Sequence, residues 1–512
     1  MSIGSAWSIA LTGLEGTLIE VEASITAGLP RTVLVGLPDS SLMEAKERCR
    51  DALYGAGFGW PGEHLTINLT PASMPKAGSH YDLAIVAAVL AAGGKIPREV
   101  ASTCVLMGEL GLDGRVHPVR GVLPGVVAAV TAGRPKVVVP SGQVGEASLV
   151  EDAQVFGVSC LDDLIEVLNG RLVLNAAPVA ACRDGDDPAT SALPDMADVL
   201  GHPDARWAME VAAAGRHHVF LHGAPGAGKT MLAERLPGLL PPLSTPEALE
   251  VSAIHSLAGE QISGLIRRPP FSSPHHNATV ASMIGGGARL ARPGQISLAH
   301  RGVLFLDEAP QFSVSALDAL RTPLESGWVS IARVMGTVRY PARFQLVLAA
   351  NPCPCGMNAT AGAACRCFPA TVRRYNERLS GPILDRIDIH HQIAPIRASL
   401  IRAMKDAPES STTIAARVAE ARARALARLA PGGFCCNAEV PGAWMRRELP
   451  EPDGGLKILD DAVQRGRISS RGVDKALRLA WTLADLSAVD RPTREHLAAA
   501  LTLNQTEWMK TA

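Results

Sequence analysis

The chain has 512 residues, 47% hydrophobic and 19% charged, with Lys+Arg 49 against Asp+Glu 50. At ~150 residues per domain this is about three domains, with ample material for buried cores. A net charge of −1 and 4% aromatic residues exclude a globally basic nucleic-acid binder and an aromatic-rich stacking surface, so any polyanion contact must be local.

No basic residue precedes Arg31, and the longest apolar stretch, Leu83–Gly93, is too short to span a bilayer. The ten cysteines then read as reduced thiols, and the expectation is a soluble, cytoplasmic protein with no membrane partner. Four apolar runs with Gly or Pro ends read as strands: TVLVGLP from Thr32, HLTINLTP from His64, CVLMGEL from Cys104 and KVVVPSG from Lys136. Helical patterns lie between them at 39–57, 81–94 and 121–134, so the class is α/β. Residues 176–196, rich in Ala, Pro, Asp and Ser, read as a linker that closes an N-terminal domain at residue 175. A softer boundary near 395 separates a core, 197–395, from a helical C-terminal region, 396–512.

The core opens on the strand His217–His222. It runs into Gly223-Ala224-Pro225-Gly226-Ala227-Gly228-Lys229-Thr230 and then a helix. This is the complete G-x-x-x-x-G-K-S/T phosphate loop in its strand–loop–helix setting. Its backbone N–H groups cradle the β-phosphate of ATP, Lys229 neutralises β- and γ-phosphate charge, and Thr230 offers a hydroxyl to Mg²⁺. A second apolar strand, Gly302–Leu306, ends in Asp307, placed to hold hydrated Mg²⁺, and Glu308, placed to activate the attacking water. A third, Phe344–Ala350, ends in Asn351, which either positions that water or terminates the strand as a turn former.

Three such strand ends resemble the AAA+ ATPase core. Pro274-His275-His276, Ile284–Gly287, Pro293–His300, Asn351–Gly356 and Leu379–Asp388 narrow the resemblance to the YifB/ComM branch of the magnesium-chelatase-like ATPases. The resemblance implies an ATP-hydrolysing, homo-oligomeric ring, a hexamer, acting on single-stranded or branched DNA in recombination or DNA uptake. A chelatase-like protein-remodelling ATPase is the alternative. It also implies that Asn351 is the sensor-1 residue, that Arg386 is an arginine finger reaching the ATP of the next subunit, and that Arg471 is the sensor-2 arginine of a helical lid, working within its own subunit. Arg478 is the reserve for Arg471. The turn Val199–His202 resembles the segment that packs on adenine. Pro75–Leu83 and Met107–Gly121 resemble the Lon-protease-like fold, but His80 stands at the serine position and Leu123 at the lysine position, so a non-proteolytic domain is implied.

The 77 positions from Thr230 to Asp307 exceed a bare strand–helix–strand step, and the surplus resembles a helix-2 insert with Arg289 and Arg292 near a glycine-rich tip. A hairpin is readable directly: Val329–Val334 and Thr337–Tyr340 alternate around Met335-Gly336. Arg333, Arg339 and Arg343 are its cations, facing either DNA phosphates or solvent. Arg417, Arg424 and Arg428 on a helix spanning 413–430 read as a solvated face in preference to a DNA surface. Cys353, Cys355, Cys365 and Cys367 form C-x-C, nine residues, C-x-C: either a tetrahedral zinc site or four reduced thiols.

Overall fold

The computed structural model describes residues 2–36, 40–72, 76, 78–171, 194–287, 291–333, 336–358, 365–394, 408–454 and 456–505. The chain begins with two long strands, Ser2–Thr12 and Glu15–Thr26, in register from Ser2↔Ile25 to Thr12↔Glu15. Gly13 makes the tight turn between them at φ +67°. This hairpin is the middle of a seven-stranded sheet. Arg31–Val35 and His64–Thr70 extend it on one side, and Val105–Leu106, Lys136–Pro140 and Gln154–Val158 on the other. The four expected strands are present, although Cys104–Leu110 divides into two short pieces.

Helix Asp82–Ala92 is buried at every residue, because its alanines let it close down on the sheet. A Cβ at Gly4 would lie 2.4 Å from the Ala92 nitrogen, so only glycine fits beneath it. Asp82 is buried there with a full set of partners. Arg48 donates from Nε at 2.9 Å and the Leu110 amide donates at 3.1 Å. Without them a buried carboxylate costs several kcal/mol.

The second sheet has five strands in the order Phe271–Ser272, Val303–Leu306, Gln345–Ala350, Val219–Gly223, Ile389–Ile393, and every pairing is parallel. Strands 303–306 and 345–350 are buried at every position, as a sheet covered on both faces requires. All five C-terminal ends share one edge and all N-terminal ends share the other. A five-residue strand separates the two edges by roughly 16 Å.

The surplus between Thr230 and Asp307 forms helix Thr245–Ala258, then helix Val280–Ile284, an antiparallel pair of Gly285–Gly286 with Arg292–Pro293, and helix Gln295–Leu298. Gly285 sits at φ +107° with Arg292 O only 2.2 Å from where a Cβ would be, so the backbones cross too closely for any side chain. Arg289 lies outside the described residues. The readable hairpin forms from Trp328–Arg333 and Gly336–Pro341, with Ser330 opposite Arg339.

Of the C-terminal helices Ser411–Leu429, Gly442–Glu448, Lys457–Gln464, Ser470–Leu486 and Arg494–Leu503, those at 411–429 and 470–486 pack on helix Pro203–Gly215, and 457–464 and 494–503 pack on 470–486. One apolar cluster runs from Met196 through Leu239 and Trp481 to Leu503, so the core and the C-terminal helices share a single interior. The arginines of helix 411–429 are not a solvated face. Arg417 pairs with Glu210 at 2.7 Å and Glu409 at 2.8 Å. Arg428 pairs with Asp485 and lies 4.4 Å over the Trp481 ring. Arg424 donates to the Asp485 carbonyl at 2.8 Å. These cations join helices.

The expected linker falls mostly on residues outside the described set, as does the boundary near 395. Across the first of these joins, buried Glu146 accepts hydrogen bonds from the Leu123 amide at 3.1 Å and from the Ser256 hydroxyl, fixing the N-terminal unit on helix 245–258. Among the described residues no helix is long and apolar enough to cross a membrane.

Candidate active site

Three strand ends meet at the C-terminal edge of the parallel sheet. Strand 219–223 delivers the loop 223–230 into helix Lys229–Arg235. Gly223 backs onto strand 389–393, where a Cβ would lie 2.4 Å from Ile393 O. Gly226 and Gly228 take φ +74° and +93°, the left-handed conformations that turn successive amides inward. A Cβ at Gly226 would meet nothing within 4 Å, so the concave side of the loop is open.

Lys229 is the hub. Its Nζ donates to Gly223 O at 2.8 Å, Ala224 O at 2.9 Å and Asn351 Oδ1 at 3.0 Å. Burial pushes its pKa below the ordinary lysine value, while the carboxylates of Asp307 and Glu308 pull the other way. Beneath the loop, burial first and Lys229 second push His222 down to about 4, so a neutral imidazole adds no repulsion to the Lys229 ammonium. Thr230 Oγ1 donates to Asp307 Oδ2 at 2.9 Å. A hydroxyl and a carboxylate in contact beside a phosphate loop are the hard oxygen donors that Mg²⁺ requires, so the residues fit the expected ion.

Glu308 follows in a left-handed conformation, φ 48° and ψ 43°, that is uncommon for a side-chain-bearing residue. Its amide donates to Asp307 Oδ1 at 2.8 Å, fixing the turn that separates the two carboxylates. His276 Nδ1 stands 3.8 Å from Glu308 Oε2. No local pattern in the sequence couples positions 276 and 308. His202 caps helix 203–215 beside the loop, 3.8 Å from the position a Gly228 Cβ would take, and burial lowers its pKa.

Arg386 and Arg471 lie elsewhere. The amides of Asp388 and Ile389 bond to His218 O, at the start of strand 219–223, so Arg386 sits at the N-terminal edge of the sheet. It pairs with Glu325. Arg471 NH1 lies 3.9 Å from Asp385. Both line a cavity of about 660 Å³ with Arg216, Arg343, Lys475 and Arg478, among carboxylates including Glu325 and Asp474. Arg478, the reserve, spends its Nε on Val440 O at 2.7 Å. Arg471 lines the same cavity as Arg386, and the length of the strands lies between that edge and Lys229.

The four cysteines meet. Their sulfurs lie within 4.8 Å of one another, directly after Asn351. In the N-terminal sheet, Ser79 hydrogen-bonds Glu109, His80 Nε2 contacts Ile9 O at 2.8 Å, and Leu123 is fully buried. Lys76 is buried against Gly36 O and Pro71 O, and burial lowers its pKa.

Residues 195–401 match the family described as magnesium chelatase, subunit ChlI; residues 21–143 match subunit ChlI of Mg-chelatase; residues 408–504 match the ChlI C-terminal family. The chain is 51% identical over 509 residues to an uncharacterized protein of Mycobacterium tuberculosis, covering 99% of both chains. It is 38% identical over 502 residues to YifB of Escherichia coli and 35% identical over 502 residues to the competence protein ComM of Haemophilus influenzae, in each case covering 98% of this chain and 97% of the relative. With its phosphate loop on a five-stranded parallel sheet and this full-length similarity, the chain belongs to the YifB/ComM family of magnesium-chelatase-like AAA+ proteins.

Proposed function

We propose that the protein is an ATP-hydrolysing ring motor, a hexamer, that remodels single-stranded or branched DNA as in recombination or DNA uptake. The observation that carries this is the division of the machinery between two sheet edges. Lys229, Thr230, Asp307, Glu308 and Asn351 stand at one, and Arg386 and Arg471 at the other. In a ring, one copy's arginine edge faces the next copy's phosphate loop.

The loop amides and Lys229 hold the phosphates, and Asn351 keeps the Lys229 ammonium in place. Thr230 and Asp307 are the residues that hold Mg²⁺, which when bound neutralises phosphate charge. Glu308 accepts the proton of the attacking water, a contribution on the order of 10²–10⁴ in rate. Arg386 and Arg471 stabilise the charge that develops on the neighbour's γ-phosphate, and a trans arginine is worth roughly 10³–10⁵.

Residues 1–175 are read as a Lon-protease-like domain that does not cleave protein, followed by linker 176–196, ATPase core 197–395 and helical lid 396–512. Ser79 faces a carboxylate where a serine nucleophile needs a base such as lysine. ATP-dependent proteolysis abolished by Ser79→Ala would contradict this. The DNA contacts are assigned to exposed Arg292 and Arg339, with Arg289, Arg333 and Arg343. The test is the ATPase rate with and without forked DNA. Stimulation by the fork is expected; turnover indifferent to any DNA would favour the protein-remodelling alternative.

A further inference from the structure

The four cysteines do more than meet. Sγ of Cys353 is 3.3 Å from that of Cys355 and 3.7 Å from that of Cys365, and the Cys355–Cys365 separation is 3.7 Å. Sulfurs held about 2.3 Å from one tetrahedral ion have edges of about 3.8 Å. All four are free thiols. Thiolates in this number and geometry select zinc over oxygen-seeking cations.

The position of the cluster gives the metal a task. Cys353 is fully buried two residues after Asn351, the side chain that holds Lys229. Gly356, at φ +78° inside the cysteine loop, lies flat on the phosphate loop: a Cβ there would fall 2.3 Å from Pro225 Cγ. Past the second pair, Cys367 leads into helix Pro369–Glu377.

We propose that Cys353, Cys355, Cys365 and Cys367 bind one zinc ion, and that this knuckle braces the phosphate loop through Gly356 against Pro225 and through Asn351 against Lys229. Binding releases the thiol protons and needs no redox partner. Its consequence for nucleotide rests on the reading of loop 223–230 as an ATP site; the metal itself does not.

The test uses full-length protein prepared without a polyhistidine tag. Elemental analysis should find about one zinc per chain, and cobalt replacing it should show the strong absorption of a tetrahedral thiolate site. The pair Cys365→Ser and Cys367→Ser should lose the metal, while Cys435→Ser, an exposed thiol outside the cluster, should keep it. Affinity for a fluorescent ATP analogue should fall on the order of tenfold in the metal-free variant, as when support around a metal site is removed. If that variant does not fold, zinc released from wild type by an organomercurial and then restored gives the same comparison. No metal, iron in place of zinc, or zinc unchanged in the double variant overturns the site. Zinc lost with nucleotide affinity intact overturns the brace. Because metal content is read without ATP or DNA, a protein that binds zinc but fails as a DNA-dependent ATPase contradicts only the proposed function.

Discussion

The two edges of the five-stranded sheet carry opposite chemistry. At the C-terminal edge three polar groups are paired within the chain: Lys229 with Asn351, Thr230 with Asp307, the Glu308 amide with Asp307. At the N-terminal edge Arg386 and Arg471 share a cavity of about 660 Å³ with four further cations, and their carboxylate partners Glu325 and Asp385 are 63% and 58% exposed. The Arg471–Asp385 pair, exposed on both sides, contributes roughly 0–1 kcal/mol, little enough for an incoming triphosphate to replace. Under the proposed reading the first edge holds a nucleotide and the second is completed by one, so a working site would take two copies of the chain.

Substitutions that separate the edges rank by the step they touch. The largest loss is expected from Arg386→Ala, where turnover should fall by about 10³ or more while the variant still binds ATP. Steady-state ATPase beside nucleotide affinity reads both, and wild-type turnover would remove the second edge from the chemistry. Glu308→Gln should follow, with turnover lower by on the order of 10²–10⁴ and ATP still bound. Near-normal turnover would show that another group takes the proton. Arg471→Ala should fall in the same direction by less, and it should be rescued by the partners that rescue Arg386→Ala. Rescue by Arg386→Ala itself would instead put Arg471 with the phosphate loop. The smallest effect belongs to neither edge. Replacing Arg333 and Arg339 by Ala should leave basal ATPase intact, remove its stimulation by forked DNA, and lower the salt slope of binding by about one per lost phosphate contact. Normal unwinding over a range of salt would make that hairpin a solvated surface.

What the sequence disclosed follows range. The phosphate loop, strands 303–306 and 345–350, the helix at 82–92 and the hairpin 328–341 are written in adjacent residues: glycine spacing, apolar runs, alternation. Strands 2–12 and 15–26, the longest among the described residues, are absent from the four expected runs, although Ile19, Val21 and Ala23 alternate to the interior. Pairings set by topology had no local signal. Arg386 with Glu325, Arg428 with Asp485 and His276 with Glu308 each join distant positions, and only the fold brings them together. The parallel sheet likewise determined what spacing did not, that Arg471 shares an edge with Arg386.

The most direct test mixes two inactive proteins. Lys229→Ala lacks a working phosphate loop and keeps its arginines; Arg386→Ala keeps the loop and lacks the finger. In a mixed assembly some interfaces pair an intact loop with an intact Arg386, so ATPase activity should reappear and peak at intermediate ratios. No activity at any ratio, with subunit exchange demonstrated by fluorescence transfer between labelled chains, would contradict a site shared between copies and return Arg386 to a structural role within its own subunit.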